Sequence, residues 1–397
     1  MLQIGRREFL KYSGCGLVAI AVGTLDLPFI FNSRAFAAGQ SVDLTMEGAL
    51  VEMIDQTQVF HWLYSSPATG PAFPGPVICA MTGDEITINL TNNLGEAHAF
   101  QIVYTDVKSG PIPPGGMSSI TFTAPAAGTY LYLDPMNAPV NRVLGLHGLL
   151  VVLPQSGNTP YSMPTAPVQE LFNDLGKIDF FPGEGWVPEH SRIWLFGSID
   201  PGFNERAQRG EAIDPMQFTA TFLPRYFTIN GKSGAFASHG KDVIPEGRIG
   251  QPHVIRMVNA GMAAHSPHLH ANHFYVLSLN NKVSDNVFSV DTFTVAPLDR
   301  VDMLIPFIRP PDIPGDVRAP LRDLIPNELA LVLITPQSPL SWPMHCHMEM
   351  SQTAAGGNYP QGLVTHFEIT GDVDGVDFPH PIPVAGRQRV RVAKKGV

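Results

Sequence analysis

The chain has 397 residues, which is enough for two domains that each bury a core of their own. It contains 37 Gly and 37 Pro, and only 15% of its residues are charged, a composition typical of a turn-rich β protein. Its formal net charge of −10 argues against nucleic acid and anionic lipid as partners.

The N-terminus has the three parts of a twin-arginine export signal. Arg6 and Arg7 precede a short apolar run at residues 17–22, and Ala35-Phe36-Ala37 provides a small-x-small cleavage site. We therefore predict that residues 1–37 are a signal peptide read by the twin-arginine translocase. The mature protein would be periplasmic, without a membrane span, and would carry a formal net charge of −12, because the signal holds four basic and two acidic residues.

Residues 38–155 are predicted to form a first β-sandwich domain. Residues 86–90 and 119–123 alternate between apolar and polar side chains, which indicates strands with one buried face. Cys79 falls in a further predicted strand, so no disulfide framework is indicated despite export.

The remaining chain divides into a linker, a second domain and a tail. Residues 156–190 are rich in Pro, Gly and Ser without a sustained period, which is typical of a long linker or an excursion around the first domain. Residues 191–372 are predicted to be a second sandwich. Residues 373–397 turn polar and end in a basic stretch, typical of a solvated terminus.

Two clusters of metal-ligand residues lie in the second domain. If His345-Cys346-His347 is extended, alternation places the two imidazoles on one face of the strand and the thiol on the other. His268 and His270 would likewise share a face, whereas His265 lies across Pro267. Imidazole and thiolate together suit copper, zinc or iron.

These two clusters resemble the signatures of the multicopper oxidase family. Residues 265–274 are similar to the family's H-P-x-H-L-H-G-H-x-F motif, and His345-Cys346-His347 to the start of its H-C-H-x-x-x-H motif. The resemblance extends over most of the chain and implies an all-β fold of two cupredoxin-like Greek-key β-sandwich domains with copper as cofactor. It also implies the metal ligands, with type 1 copper at His265 and Cys346, type 2 copper at His268, and type 3 copper at His270, His345 and His347.

The first domain departs from the family pattern at every copper position. Where the family has H-W-H-G, this chain has His98-Ala99-Phe100-Gln101, and where the family has H-S-H, it has Leu133-Asp134-Pro135. We expect His98 to be solvated and His147 to be structural rather than catalytic. A trimer that shares ligands between subunits, as in two-domain relatives, would not help, because each copy has the same first domain.

Compared with the family pattern, the type 1 site also lacks one histidine. The family's second type 1 histidine aligns with Ser351 or with Asn358, neither of which is an imidazole. Met348, Met350 or His366 could complete the set, since thioethers suit Cu(I). Four imidazoles on two strands are enough for one metal ion or a crowded pair.

Three functions remain open from the sequence. The first is a copper-dependent oxidoreductase with a reduced metal complement, acting on a metal ion or small molecule. The second is a protein of copper storage, delivery or tolerance, and the third is a copper-free scaffold that keeps the sandwiches for protein contacts. Buried histidines without partners are costly, which argues against the scaffold. A homo-oligomer is compatible with each function.

Overall fold

The computed structural model describes residues 40–310, 339–373, 375, 377 and 378. Strands make up 40% of the described residues and helices 12%, which confirms the predicted all-β class. The predicted signal peptide and most of the predicted basic tail lie outside the described residues. Within the described part of the chain, none of the helices has the length and apolar character that crossing a membrane requires.

Residues 40–153 form two four-stranded sheets packed face to face. One sheet has the order β2-β1-β4-β6 and the other the order β3-β8-β7-β5. The alternating segments at residues 86–90 and 119–123 belong to neighbouring strands of the first sheet, and Cys79 lies in a strand as predicted. The strands are β1 (Gln40–Glu52), β2 (Gln58–Ser65), β3 (Val77–Met81), β4 (Glu85–Asn92), β5 (Gln101–Ile102), β6 (Met117–Thr123), β7 (Gly128–Leu133) and β8 (His147–Leu153).

The described residues between 191 and 369 form a second pair of sheets. A seven-stranded sheet has the order β10-β9-β12-β17-β14-β15, with β16 also paired to β14, and a four-stranded sheet has the order β11-β19-β18-β13. The strands are β9 (Ser191–Ile199), β10 (Tyr226–Ile229), β11 (Glu246–Gly247), β12 (His253–Asn259), β13 (Pro267–Leu269), β14 (Phe274–Leu279), β15 (Lys282–Val283), β16 (Ser289–Val290), β17 (Arg300–Ile305), β18 (Leu340–Cys346) and β19 (Val364–Ile369).

The four sheets stack as four layers, and the two middle layers are buried on both faces. In β8, Leu150 and Val152 point into the core of the first sandwich, while Leu149 and Val151 pack on Leu195 and other residues of the seven-stranded sheet. All seven residues of β8 are buried, which explains its continuous apolar sequence. The other face of the seven-stranded sheet forms the core of the second sandwich with β18 and β19.

In the described part of the chain, five short helices connect or cover the sheets. Helices α3 and α4 follow β9 and pack on the first sandwich, where the Asn204 side-chain amide donates to the carbonyl oxygen of Phe60 at 2.6 Å. A short 3-10 helix follows the histidine-cysteine-histidine strand. The helices are α1 (Val140–Val143), α2 (Ala166–Asp174), α3 (Pro201–Gln208), α4 (Pro215–Thr221) and α5 (Gly234–Ser238), and the 3-10 helix is Glu349–Gln352.

The segment predicted to be a linker packs mainly on the second sandwich. Val168 and Phe172 of α2 pack with Trp186 against residues of the seven-stranded sheet, including Val254 and Leu304. These residues lie on the face of the sheet that the first sandwich covers elsewhere. In the sequence, the surrounding Pro, Gly and Ser residues hide the helical spacing of the buried residues of α2. The apolar surface that α2 covers is formed by strands distant in the sequence.

A buried ion pair lies where the two sandwiches meet. Nη1 of Arg256 lies 3.1 Å from Oδ2 of Asp302, and both side chains are at most 2% exposed. The hydroxyl of Thr129, from the first sandwich, donates to Oδ1 of Asp302 at 2.9 Å, and Tyr161 donates to Oδ2 at 3.2 Å. The carboxylate therefore joins both sandwiches and the segment between them.

Three buried histidines predict loss of stability in acid. Burial lowers the pKa of His61 and of His147 to about 4 and that of His253 well below 6.5. Below pH 6.5 the unfolded chain takes up protons that the folded chain cannot, so the stabilisation is complete above pH 6.5 and is lost as the pH falls towards 4. We expect the Tm to be constant from pH 8 to 7 and to fall steadily below 6.5.

The His147→Asn variant provides the control for this pH dependence. Nδ1–H of His147 donates to the carbonyl oxygen of Arg142 at 2.8 Å, and an asparagine amide can replace that donor without titrating. The free energy of unfolding of this variant should fall less steeply with acid, by up to about 1.4 kcal/mol per pH unit. A wild-type Tm that does not change between pH 7 and 5 would contradict the prediction.

Candidate metal centre

Antiparallel pairing of β13 with β18 places four histidines on one face of the outermost sheet. His268 lies directly opposite His345, while Pro267 is opposite Cys346. The pairing continues beyond β13, because the amide of His270 donates to the carbonyl of Pro343 and the amide of His347 to that of Ser266. The predicted alternation is confirmed, since Cys346 points into the core while His345 and His347 point away from it.

We call His268, His270, His345 and His347 the four-histidine face. Nε2 of His270 and Nε2 of His345 are 3.2 Å apart, and ligand atoms of these two residues and His268 all lie within 4.8 Å of one another. His347 completes the group, with its ring centroid 4.5 Å from that of His268 and 5.3 Å from that of His345. Two nitrogens that bind one ion at about 2.0–2.1 Å lie roughly 3 Å apart, so the pair fits a metal ion.

The environment favours the neutral form of His268 and His345 and orients one of these two rings. Burial lowers the pKa of His268 and of His345, and positive charge on the neighbouring imidazoles lowers both further. Neutral imidazole is the form that binds metal. Nδ1–H of His268 donates to the carbonyl oxygen of Asp291 at 3.2 Å and to the hydroxyl of Thr292 at 2.9 Å, which leaves Nε2 of that ring as the ligand atom. The carboxylate of Asp291 lies beside the same Nδ1 at 3.7 Å.

Thr292 and Asp291 contact a candidate ligand, His268, and the sequence did not assign them to the site. They belong to the segment Asp291-Thr292-Phe293-Thr294, which resembles a strand of the family but shows no ligand pattern of its own. The structure brings Thr292 next to His268 through an isolated antiparallel bridge. The only signal in the sequence was the resemblance itself, because the bridge joins positions 24 residues apart.

His265 and Cys346 form a separate, buried pair behind the four-histidine face. Nδ1 of His265 lies 3.9 Å from Sγ of Cys346, and the amide of Ser266 donates to the same sulfur at 3.2 Å. Burial lowers the pKa of His265 to about 4, and its Nε2 makes no hydrogen bond among the described residues. A soft thiolate beside a neutral imidazole fits a copper ion by its chemistry.

The residues considered as further ligands at Cys346 lie elsewhere. Ser351 is buried, but its hydroxyl donates to the carbonyl of Met348, and Met348 and Met350 are 48% and 58% exposed. His366 pairs with Pro343, so its side chain is on the face of the sheet opposite to Cys346 and bonds Glu368 at 2.8 Å. Within the described part of the chain, Cys346 therefore has a single imidazole neighbour.

The first sandwich contains a buried polar cluster where the family has copper ligands. His98 is 1% exposed, so the expectation that it is solvated is wrong. Its Nδ1 lies 2.7 Å from Oδ2 of Asp134, and the amide of Asn141 donates to the same oxygen at 2.7 Å. The carboxylate replaces water as the hydrogen-bond partner of the imidazole. His147 is buried as well and bonds a backbone carbonyl.

The layered arrangement separates the four-histidine face from the first sandwich. The first sandwich packs on one face of the seven-stranded sheet, and the sheet that carries β18 packs on the other. The imidazoles point away from that core, towards solvent. Groups of the first sandwich in the same chain therefore do not reach them.

The fold and these clusters define a protein of two cupredoxin-like sandwiches with a histidine and cysteine site in the second. Two family models, both described as multicopper oxidase, match residues 67–157 and 212–361, which is more than half of the chain. The chain belongs to the multicopper oxidase family, whose members bind copper.

Individual relatives are distant. Putative laccase-19 of Oryza sativa subsp. indica is 22% identical over 259 residues, which is 60% of this chain and 38% of that protein. Laccase-18 of Oryza sativa subsp. japonica is 21% identical over 292 residues, covering 67% of this chain and 43% of that protein. The chain thus spans about two fifths of the length of the curated laccases that it matches.

Solved structures share the fold over nearly the whole chain. The blue copper oxidase from Nitrosomonas europaea has a TM-score of 0.59 at 19% identity, covering 83% of this chain and 85% of that one. The multicopper oxidase mgLAC has a TM-score of 0.58 at 20% identity, with coverage of 88% and 89%. The copper nitrite reductase from Nitrosomonas europaea has a TM-score of 0.53 at 17% identity, with coverage of 83% and 93%.

Proposed function

We propose that this protein is an exported, periplasmic copper-dependent oxidoreductase that works with fewer copper ions than the complete family set. The observation that carries the proposal is the group of three imidazoles whose ligand nitrogens lie within 4.8 Å of one another on an open face. Family membership makes copper the metal of choice, and the donor set suits it. The substrate would be a metal ion or a small molecule.

The residues of the four-histidine face would hold the ion, and each has a separate contribution. Copper, when bound, supplies a one-electron couple. Nε2 of His345 and Nε2 of His270 are 3.2 Å apart, and the Thr292 hydroxyl and the Asp291 carbonyl oxygen orient His268. His347 and His270 are exposed, so a substrate could approach from solvent. Asp291, which is 55% exposed beside His268, would attract a cationic substrate.

The same exposure favours copper storage or delivery as a second candidate function. A metal site on an open face exchanges ions more readily than one enclosed between domains. Met348 and Met350 lie exposed directly after His347, and thioethers suit Cu(I). Turnover separates this candidate from the oxidoreductase.

Copper content and colour test the proposal directly. The mature protein from copper-supplied cells should contain at least one copper per chain, which the double variant His268→Ala/His345→Ala should lose from the four-histidine face. Strong visible absorption, abolished by Cys346→Ala, would show a cupric ion on the thiolate. Copper-dependent oxidation of ferrous ion or a phenol would support the oxidoreductase, and bound copper without turnover would support storage. A protein that binds no copper and keeps its fold after the double substitution would support the copper-free scaffold function.

Thr292→Val should weaken copper binding without removing a ligand. The isosteric valine cannot accept the hydrogen bond from Nδ1–H of His268, so the ring keeps only the longer 3.2 Å bond to the carbonyl oxygen of Asp291 and is less firmly oriented. We expect the copper Kd to rise by about 10-fold or more. Thr294→Val is the matched control, because the Thr294 hydroxyl bonds Ser266 and not an imidazole. Equal affinities of the two variants, measured by competition with a chelator, would show that Thr292 has no such role.

A further inference from the structure

The edge strand β6 of the first sandwich carries unsatisfied backbone groups in a regular row. Its register with β4 pairs Ile88 with Ile120, and hydrogen bonds at both ends fix which residues bond β4. Ala124 N donates to Asp84 O, and Asn92 N donates to Gly116 O. Because bonded pairs recur at every second residue, the N–H and C=O groups that point away from β4 belong to Met117, Ser119, Thr121 and Thr123.

No other sheet edge in the described part of the chain is as long and as open. The opposite edge of the same sheet, β2, is covered by helix α3. Edge strands β5, β11 and β15 have two residues each, β13 has three, β10 has four and β3 has five. The seven residues of β6 pair with no described strand on their outer side. Natural proteins protect such an edge with charge, proline or a bulge.

The sequence of β6 has none of these protections. Residues 109–133 contain no charged residue, although the chain as a whole carries a formal net charge of −10. Proline is missing from Met117–Thr123, and the strand pairs with β4 without a bulge. Ile120 and Phe122 are only partly buried at the rim of the first core. A strand added to this edge would cover both side chains.

We propose that β6 is an interface strand that pairs antiparallel with β6 of a second copy of this chain. With Ile120 opposite the partner's Ile120, Ser119 faces the partner's Thr121 and Met117 faces the partner's Thr123. The outward N–H and C=O groups of both strands then bond each other, and the half-buried apolar side chains meet across the two-fold axis. Although each copy is acidic, no charge repulsion arises between the two β6 strands, because β6 and the residues that flank it in sequence are uncharged.

This pairing does not depend on copper or on the four-histidine face. β6 lies in the outer layer at one end of the four-layer stack, and β18 lies in the outer layer at the other end. The expected assembly is a two-fold dimer that leaves both metal clusters open. A dimer of this kind differs from an arrangement that closes the metal site between subunits.

Two substitutions at one position test the pairing. Thr121→Pro removes an N–H that β4 does not use, and proline is tolerated on the solvent side of an edge strand. Thr121→Val keeps the N–H, and both variants lose the 2.8 Å hydroxyl contact with Thr87. Sedimentation of the mature full-length chain over a concentration series should show a reversible dimer for the wild type and Thr121→Val. Thr121→Pro should raise the dimer dissociation constant by at least about tenfold.

Two outcomes overturn the proposal. A wild type that stays monomeric at all concentrations excludes the pairing, and slow hydrogen exchange of the β6 amides in that monomer would show that another segment of the same chain covers the edge. An oligomer that is insensitive to Thr121→Pro would use a different surface. If Thr121→Pro lowers the Tm markedly, Ser119→Lys serves as the test variant instead. It places a positive charge from each copy at the interface, which should also raise the dimer dissociation constant.

Discussion

His345→Ala should abolish high-affinity copper binding at the four-histidine face, with an increase in Kd of at least about 100-fold, more than the loss of a supporting residue causes. His345 is one of the three residues whose ligand atoms lie within 4.8 Å of one another, and its Nε2 is 3.2 Å from Nε2 of His270. Its removal leaves only two members of that group and takes away the imidazole nitrogen that faces His270. Copper titration in the presence of a competing chelator measures the change.

His273→Ala is the matched control for this prediction. His273 is an exposed histidine three residues after His270 and belongs to no group of metal-ligand atoms in the described part of the chain. Its replacement should leave the affinity unchanged. If His345→Ala binds copper as tightly as His273→Ala does, the metal ion is not held at the four-histidine face.

Asp302→Ala should destabilise the protein by about 3–5 kcal/mol, because it leaves the guanidinium of Arg256 buried without its counter-ion. The hydroxyls of Thr129 and Tyr161 would lose their acceptor as well. Asp285→Ala, at an exposed position of the same sandwich, should change the free energy of unfolding by less than about 0.5 kcal/mol. Denaturant unfolding of both variants provides the comparison.

The double variant Arg256→Met/Asp302→Leu separates the charge from the packing. Replacing both members of a buried ion pair with apolar residues of similar size is often neutral or stabilising. We therefore expect the double variant to recover most of the stability that Asp302→Ala loses. A double variant as unstable as Asp302→Ala would mean that shape or the surrounding hydrogen bonds, rather than the unpaired cation, determine the loss.

Local sequence predicted the strands and the facing of the metal ligands. Period-two alternation is set by the backbone, so the placement of His345 and Cys346 on opposite faces needed only an extended conformation. The alternating segments of β4 and β6 likewise followed from one buried face per strand. The family resemblance then gave the cupredoxin-like architecture and copper.

Long-range contacts could not be predicted from the sequence. The burial of His98 depends on Asp134, 36 positions away, so its environment could not be inferred from neighbouring residues. The same holds for Thr292, whose contact with His268 depends on an isolated bridge between β13 and a segment 24 residues later in the chain. The prediction of a linker at residues 156–190 rests on the turn residues of that segment. Its apolar residues pack on strands that come later in the chain.

The seven-stranded sheet is buried on both faces, so the first sandwich has a structural role that does not depend on metal. Ile193, Leu195 and Val258 present apolar side chains that are covered by strands β3, β7 and β8. A fragment that began at residue 191 would expose this surface and the buried carboxylate of Asp302 to water. The second sandwich therefore depends on the first sandwich to cover this face, whether or not the first sandwich holds copper.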